Sequence, residues 1–133
     1  MKTIVIIQVM NLNKVMMAGR LTRDPETTTL PNGNTTVTNL GFVTNRVFKN
    51  KNDEKQEEAT FVDVKAWGAT GETIAKYLKK GSPIFVEGRL TLESWESKGE
   101  KRSKLVITLE NYKFINDGSH KEKQEEKKDD LGF

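Results

Sequence analysis

Residues 61–67 read as a β-strand whose two faces differ, because side chains along a strand alternate between its faces. One face is small and apolar, and the other carries two aromatic rings, an acid and a cation. The first face is Val62, Val64 and Ala66, and the second is Phe61, Asp63, Lys65 and Trp67. Rings beside a cation suit a flat, anionic ligand such as single-stranded nucleic acid, which offers both π-faces and phosphates. The alternative is a sheet covered on both sides, with both faces in a core.

Apolar alternation and turn signals divide the globular part into strands and one helix. The predicted strands are residues 14–21, 35–45, 59–68, 84–95 and 102–115, and the predicted helix is residues 70–80. Thr70 is predicted to cap this helix, and the polar residues 50–58 are predicted to form a flexible hairpin tip. Gly19 and Gly88 indicate a bulge or a close backbone approach.

The order of three strands, one helix and two strands predicts an all-β fold. It is that of a five-stranded antiparallel Greek-key barrel, the OB-fold, with the helix between the third and fourth strands. A ferredoxin-like fold is excluded because it needs a second helix, for which we find no pattern. In the fourth predicted strand, core-facing and outward-facing residues alternate. The former are Ile84, Val86, Leu90 and Leu92, and the latter are Phe85, Arg89 and Trp95.

The composition argues against most classes of enzyme. The 133-residue chain has no Cys, and its single His lies at position 120. A thiol nucleophile, a thiolate metal site and a histidine-based triad therefore lack the residues to build them, and we expect no catalytic site, metal or cofactor. No apolar run is long enough to cross a bilayer, and the apolar first residues lack a small-residue cleavage site, so we expect a cytoplasmic protein with no membrane contact.

Charge divides the chain into a basic body and an acidic end. Residues 117–133 carry four Lys and six acids, which leaves 18 basic and 13 acidic residues in the first 116. The basic body, predicted as a domain of residues 11–116, favours an anionic ligand. Residues 117–133 have too few apolar side chains to pack and are predicted to be a disordered tail. Residues 1–10 are predicted to be either an N-terminal extension or an extra edge strand.

Several short motifs, by their order and spacing, make the chain resemble the bacterial-type single-stranded DNA-binding proteins (SSB). The resemblance covers residues 10–115 and also includes the last residues of the chain. The matching motifs are Asn13-Lys14-Val15, Gly19-Arg20-Leu21-Thr22-Arg23-Asp24-Pro25-Glu26, Pro31-Asn32-Gly33, Thr44-Asn45-Arg46, Tyr77-Leu78-Lys79-Lys80-Gly81-Ser82 and Val86-Glu87-Gly88-Arg89-Leu90. The resemblance implies a nucleoid-associated protein that binds single-stranded DNA without sequence preference, acts in replication, recombination and repair, and assembles as a homotetramer.

The resemblance also implies roles for individual residues. The aromatic positions on which the family stacks bases fall on Phe48, Phe61, Trp67 and Trp95, all on one predicted surface. Positions at or near the family's phosphate path fall on Lys14, Arg46, Lys80 and Arg89. From alternation and charge alone we add Arg23, Lys65 and Lys104, and from the basic hairpin arm Lys49.

The last five residues combine acids with apolar side chains, and we expect them to bind partner proteins. They are Asp129, Asp130, Leu131, Gly132 and Phe133. The family's tail typically ends in three Asp followed by Ile-Pro-Phe, so one acid is missing here. The resemblance implies that replication and repair proteins dock at this tip. Two other functions stay open: an RNA-binding OB module, and an interaction scaffold whose aromatic residues are core or subunit contacts.

Overall fold

The structure is a computed structural model and describes residues 10–116. The predictions for residues 1–9, for the tail at 117–133 and for its tip lie outside the described residues. The described elements in chain order are β1 (Val15–Leu21), β2 (Glu26–Thr29), β3 (Thr36–Lys49), β4 (Lys55–Trp67), α1 (Ala69–Tyr77), β5 (Pro83–Ser97) and β6 (Glu100–Phe114).

Five of the strands close a barrel. β1 pairs with both β3 and β5, β3 pairs with β4, β4 pairs with β6, and β6 pairs back with β5. With α1 between β4 and β5, this closed barrel confirms the predicted OB-fold. One pair of strands in the barrel is parallel: β4 and β6 run in the same direction, with Val64 opposite Ile107, because the barrel closes between strands that are not neighbours in the chain.

A sixth strand, β2, was not predicted. Its residues Glu26–Thr29 are all exposed and pair antiparallel with β3. The side chains of Thr27 and Thr38 share a 2.8 Å hydrogen bond across this pair. Because β2 lies on the rim and buries no apolar side chain, alternation of apolar residues gives no signal for it. A turn follows β2, in which the Gly33 N–H donates to the Leu30 carbonyl at 2.8 Å.

The β3–β4 hairpin is longer than predicted and forms an arm beyond the barrel. Its strands pair as far as Lys49 and Lys55, so only residues 50–54 form the tip, and the flexible tip predicted at 50–58 is wrong in extent. Cross-strand partners explain the extension, because Arg46 lies opposite Glu58 and their side chains form a 3.4 Å ion pair. Such pairs stabilise a polar ladder that has no apolar face.

The barrel interior holds the predicted core face of β4. Val64 and Ala66 are fully buried, and Val62 packs against the same core. Ile74 on α1 is also fully buried, so the helix closes one end of the barrel. α1 ends earlier than predicted, at Tyr77, and its N-cap is Gly68 without a side-chain capping bond, so the cap predicted at Thr70 is wrong.

The β5–β6 hairpin is a second arm, and it corrects the predicted burial of two leucines. Leu90 and Leu92 remain 40% and 62% exposed, although Ile84 and Val86 on the same face are fully buried. The strand alternation was predicted correctly, but β5 leaves the barrel before Leu90. A periodic pattern cannot show where a strand runs out of neighbours to pack against.

The two glycines singled out in the sequence lie at close backbone approaches. A Cβ at Gly19 would lie 2.1 Å from the Val43 carbonyl oxygen, where β1 passes from β5 to β3. A Cβ at Gly88 would lie 2.1 Å from the Thr108 carbonyl oxygen, beside a bulge between Glu87 and Gly88. Both positions therefore confirm the prediction.

Candidate nucleic-acid interface

One continuous outer surface joins the second face of β4 to the β5–β6 arm, and we call it the basic-aromatic face. It consists of Phe61, Asp63, Lys65 and Trp67 on β4, Arg89, Glu93 and Trp95 on β5, and Lys104 on β6. Three rings stand open on it: Phe61 is 70% exposed, Trp67 45% and Trp95 42%. The interpretation that both faces of β4 are core is therefore wrong. Large rings left in water on one face are typical of a binding surface.

Asp63 connects two of the predicted cations. Its carboxylate accepts a 2.9 Å hydrogen bond from Lys104 and lies 3.5 Å from Arg23. The hydrogen bond from Lys104, assisted by Arg23, lowers the pKa of Asp63 below its ordinary value. Lys104 is held in turn 5.9 Å from the centre of the Trp95 ring. The presence of Asp63 among the outward residues of the 61–67 stretch is thus explained, because its carboxylate orients cations beside the exposed rings.

Two shallow depressions mark the basic-aromatic face. The first, of about 300 Å³, lies beside Phe61 and is lined also by Arg23, Asp63 and Leu105. The second, of about 520 Å³, is lined by Lys65, Glu93, Ser94, Trp95 and Lys104. Each combines a ring, a cation and an acid, so each offers a flat apolar wall beside groups that bind phosphate or a base edge.

Lys14 and Arg89 lie at the barrel end of the same surface and share one acid. Glu110 is 3.2 Å from Lys14 Nζ and 3.2 Å from an Arg89 guanidinium nitrogen. Hydrogen bonds from Lys14 and Arg89 lower the pKa of Glu110, and Glu110 raises the pKa of Lys14. These groups are about half exposed. Exposed ion pairs are weak because water screens them, so an incoming phosphate can replace the carboxylate at little cost.

The fourth predicted ring, Phe48, is not brought together with the other three. The β3–β4 register pairs Val43 with Phe61 and Phe48 with Gln56, and strict alternation then puts Phe48 on the opposite face of the arm from Phe61. The predicted single surface for all four rings is therefore wrong for Phe48. The Arg46 guanidinium lies over the Phe48 ring, 4.4 Å from its centre, and Lys49 pairs with Asp53 at 3.7 Å. The arm thus carries its own ring and cations.

Lys80 lies apart from both groups, just after α1. Its backbone N–H donates to the Asp24 carboxylate at 2.8 Å, which ties the end of the helix to the segment that carries Arg23. Its side chain is exposed and lies within ion-pair distance of no carboxylate among residues 10–116.

Sequence reasoning missed three glutamates of this surface, Glu87, Glu93 and Glu110. Glu93 pairs with Lys65, and Glu87 adds a second partner to Lys14 at 3.6 Å. A signal for Glu93 was present, because it alternates with Trp95 on the predicted outer face of β5. Nothing in the sequence could place Glu110, because its position depends on the bulge that shifts β6 against β5.

Within residues 10–116, no group of three or more His, Cys, Asp or Glu side chains is placed to hold a metal ion. A helix long and apolar enough to cross a membrane is likewise absent from this part of the chain.

Comparison with known proteins identifies the family. The model of the single-strand binding protein family matches residues 12–115. The chain belongs to this family. A single-stranded DNA-binding protein of Aquifex aeolicus is 46% identical over 120 residues, which cover 90% of this chain and 81% of that protein. One of Wolinella succinogenes is 46% identical over 104 residues, which cover 77% of this chain and 64% of that protein. The predicted family resemblance is confirmed.

Solved structures of other SSB proteins share the barrel. The single-stranded DNA-binding protein of Thermus aquaticus superposes with a TM-score of 0.70 at 30% identity, covering 82% of this chain and 52% of that one. An SSB of Plasmodium falciparum in complex with single-stranded DNA superposes with a TM-score of 0.71 at 24% identity, covering 80% of this chain and 96% of that one. The latter likeness is evidence for the fold.

Proposed function

We propose that this chain binds single-stranded DNA with little sequence preference and does no chemistry on it. The observation that carries the proposal is the basic-aromatic face, where exposed rings alternate with cations on a rigid barrel. Bases stack on such rings with about 1–3 kcal/mol each whatever their identity, and Lys and Arg neutralise the phosphates. The family supports the proposal, since the Aquifex and Wolinella relatives are named for binding single-stranded DNA.

Within this function we assign stacking to the rings and phosphate binding to the cations. Phe61, Trp67 and Trp95 form one stacking row, and Phe48 offers a fourth ring on the far side of the arm. The phosphate-binding set is Lys14, Arg23, Arg46, Lys49, Lys65, Lys80, Arg89 and Lys104. Within residues 10–116, all of these cations except Lys80 pair with carboxylates, so DNA binding exchanges carboxylates for phosphates.

Competition between nucleic acids tests the proposal. Fluorescently labelled oligo-dT should be displaced by unlabelled single strands of scrambled sequence, and poorly displaced by duplex DNA of the same length, since paired bases cannot stack on the rings. We expect oligo-U to compete less well than oligo-dT. Stronger competition by oligo-U would favour the RNA-binding alternative, because a protein distinguishes RNA through the 2′-OH. Absence of binding to both oligo-dT and oligo-U would leave only the scaffold alternative.

Replacing Glu110 by Gln should strengthen oligo-dT binding at low salt by about twofold to fivefold, because it releases Lys14 and Arg89 from an exposed ion pair. The same competition predicts a pH effect. These cations lower the pKa of Glu110 in the free protein, and a phosphate that takes them lets it rise again. The DNA-bound form then holds more protons, so wild-type affinity should rise as pH falls from about 5 to 4.

The Glu110→Gln variant is also the control for this pH effect. Its rise in affinity should be smaller than that of the wild type but should persist in part, because Lys104 and Arg23 lower the pKa of Asp63 in the same way. An affinity independent of pH in the wild type would show that phosphates do not take over these cations.

We further propose that the chain acts in replication, recombination and repair as a homotetramer. In this proposal residues 11–116 are the DNA-binding domain, residues 1–10 an N-terminal extension and residues 117–133 a partner-binding tail. Family membership supports the assembly, and light scattering should then give four times the 15.1 kDa mass of one chain.

Deleting residues 129–133 should leave oligo-dT affinity equal or slightly higher, since an acidic segment competes with phosphate, and should abolish capture of replication and repair proteins. Separate variants distinguish the causes. Asp129→Asn with Asp130→Asn removes only charge, and Phe133→Ala removes only the ring. Retention of all partners after the deletion would show that the tip is not a docking site.

A further inference from the structure

Three aromatic rings form a cluster that the proposed DNA-binding surface does not include. Tyr77 ends α1, and Tyr112 and Phe114 lie near the end of β6. The rings of Tyr77 and Phe114 meet edge to face with centres 6.1 Å apart, and those of Tyr112 and Phe114 are tilted with centres 5.2 Å apart. Tyr77 is 47% exposed and Phe114 44%, as open as the two tryptophans of the basic-aromatic face. Tyr112 is partly buried and packs against the core.

Within residues 10–116, the cations around this cluster differ from those of the basic-aromatic face in having no acid partners. Lys76 Nζ lies 5.4 Å from the centre of the Tyr77 ring. Lys79 and Lys80 directly follow the helix that Tyr77 ends. None of these three side chains lies within ion-pair distance of a carboxylate among residues 10–116. Within this part of the chain their charge is therefore available to an anionic ligand without displacement of an acid.

A short run of hydrogen bonds joins the cluster to the basic-aromatic face. The Gly81 N–H donates to the Leu21 carbonyl at 2.8 Å, and the Lys80 N–H donates to the Asp24 carboxylate at 2.8 Å. Arg23, between Leu21 and Asp24, faces Asp63 beside the Phe61 depression. The end of α1 is thus held next to one edge of the proposed DNA path.

We propose that Tyr77 and Phe114, with Lys76, Lys79 and Lys80, form a second stacking site that extends the path of single-stranded DNA beyond the basic-aromatic face. The inference rests on the proposed function, because it assigns the same ligand to further residues. Rings that carry their own cations take a base on the open ring face and a phosphate on the ammonium group. Uncompensated positive charge next to an existing DNA path favours continuation of the same strand.

The test compares a short and a long ligand on the full chain. Oligo-dT of about 6 nucleotides should occupy the basic-aromatic face alone, and oligo-dT of about 16 nucleotides should reach both sites. Tyr77→Leu with Phe114→Leu keeps apolar packing and removes both rings. We expect at least about a fivefold loss of affinity for the long ligand and less than about twofold for the short one. Lys76→Gln with Lys79→Gln should lower the log–log salt slope for the long ligand by about 1.4 and leave the short-ligand slope unchanged.

Lys51→Gln with Lys55→Gln is the charge-matched control, since both lie at the β3–β4 tip away from the cluster. It should weaken short and long ligands by the same factor. Equal losses on both ligands in the ring variant, or no loss on either, would overturn the second site. So would an effect that disappears when residues 129–133 are deleted, because the cluster would then bind the chain's own acidic tip. Failure of the wild type to bind the short ligand would instead reject the proposed function.

Discussion

Replacing Trp67 and Trp95 together by Ala is expected to weaken oligo-dT binding by at least about 2 kcal/mol, or about 30-fold, and to leave the barrel intact. The size of the effect follows from two lost stacking platforms, each of which contributes about 1–3 kcal/mol. The barrel should survive because both side chains are nearly half exposed, and neither belongs to the core cluster. Isothermal titration with oligo-dT and thermal unfolding by circular dichroism measure the two quantities separately.

Leu92→Ala is the matched control for this double variant. Leu92 lies on the same arm as Trp95 but on its opposite face, and it is 62% exposed. Its replacement removes exposed apolar surface without removing a ring from the basic-aromatic face, so oligo-dT affinity should stay within about twofold of the wild type. Wild-type affinity in the double tryptophan variant would contradict the assignment of this face.

Phe42→Ala and Phe61→Ala should have opposite effects, although the two phenylalanines lie on neighbouring, paired strands. Phe42 is 1% exposed at the centre of the core, and Phe61 is 70% exposed. Loss of the Phe42 ring should lower the free energy of unfolding by about 3–5 kcal/mol, through lost burial and the cavity left behind. Loss of the Phe61 ring should change it by less than about 0.5 kcal/mol but weaken oligo-dT binding by about 1–3 kcal/mol.

Urea denaturation and oligo-dT titration on both variants give the four values needed. Oligo-dT affinity of Phe42→Ala should be measured at low temperature, where the folded form still predominates, and should be close to that of the wild type. A large loss of stability in Phe61→Ala would show that its ring packs in a subunit contact rather than facing DNA. The pair therefore also tests the scaffold alternative.

Alternation in the sequence was enough to predict which residues of β4 face the core and which face outward. Val62, Val64 and Ala66 line the barrel as predicted, because a closed sheet leaves one face dry and every second residue must fill it. The fold class followed from the order of strands around a single amphipathic helix. The one parallel pairing did not, since it depends on how the sheet closes in space and not on any local pattern.

The limits of the two arms were harder to predict, for opposite reasons. The polar residues 55–58 do form part of a strand. They are held in register by their partners across the hairpin, and packing against the core is not needed. Leu90 and Leu92 follow a core-like pattern and yet remain exposed, because β5 continues past the barrel. Phe48 is separated from the other rings by the register of the β3–β4 pairing. The type of residue at position 48 does not reveal this register.

The position of Glu110 and the second ring cluster were beyond sequence reasoning because both depend on contacts distant in the chain. Glu110 lies between Lys14 and Arg89 only after β1, β5 and β6 have paired around a bulge. Tyr77 reads as a core residue of an amphipathic helix, but its ring meets Phe114 at the surface. Asp63, in contrast, stood out in the sequence as an acid among two rings and a cation. Its ion pairs with Lys104 and Arg23 account for its position there.

The intrinsic fluorescence of Trp67 and Trp95 during titration with oligo-dT, at two salt concentrations, is the most direct test of the basic-aromatic face. Both tryptophans of the chain lie on this face, so stacked bases should quench the emission to a saturating end point. The midpoint should move to higher ligand concentration as salt rises, by about 0.7 log units per log unit of salt for each phosphate bound. Unchanged emission at oligo-dT concentrations that saturate binding would contradict the account.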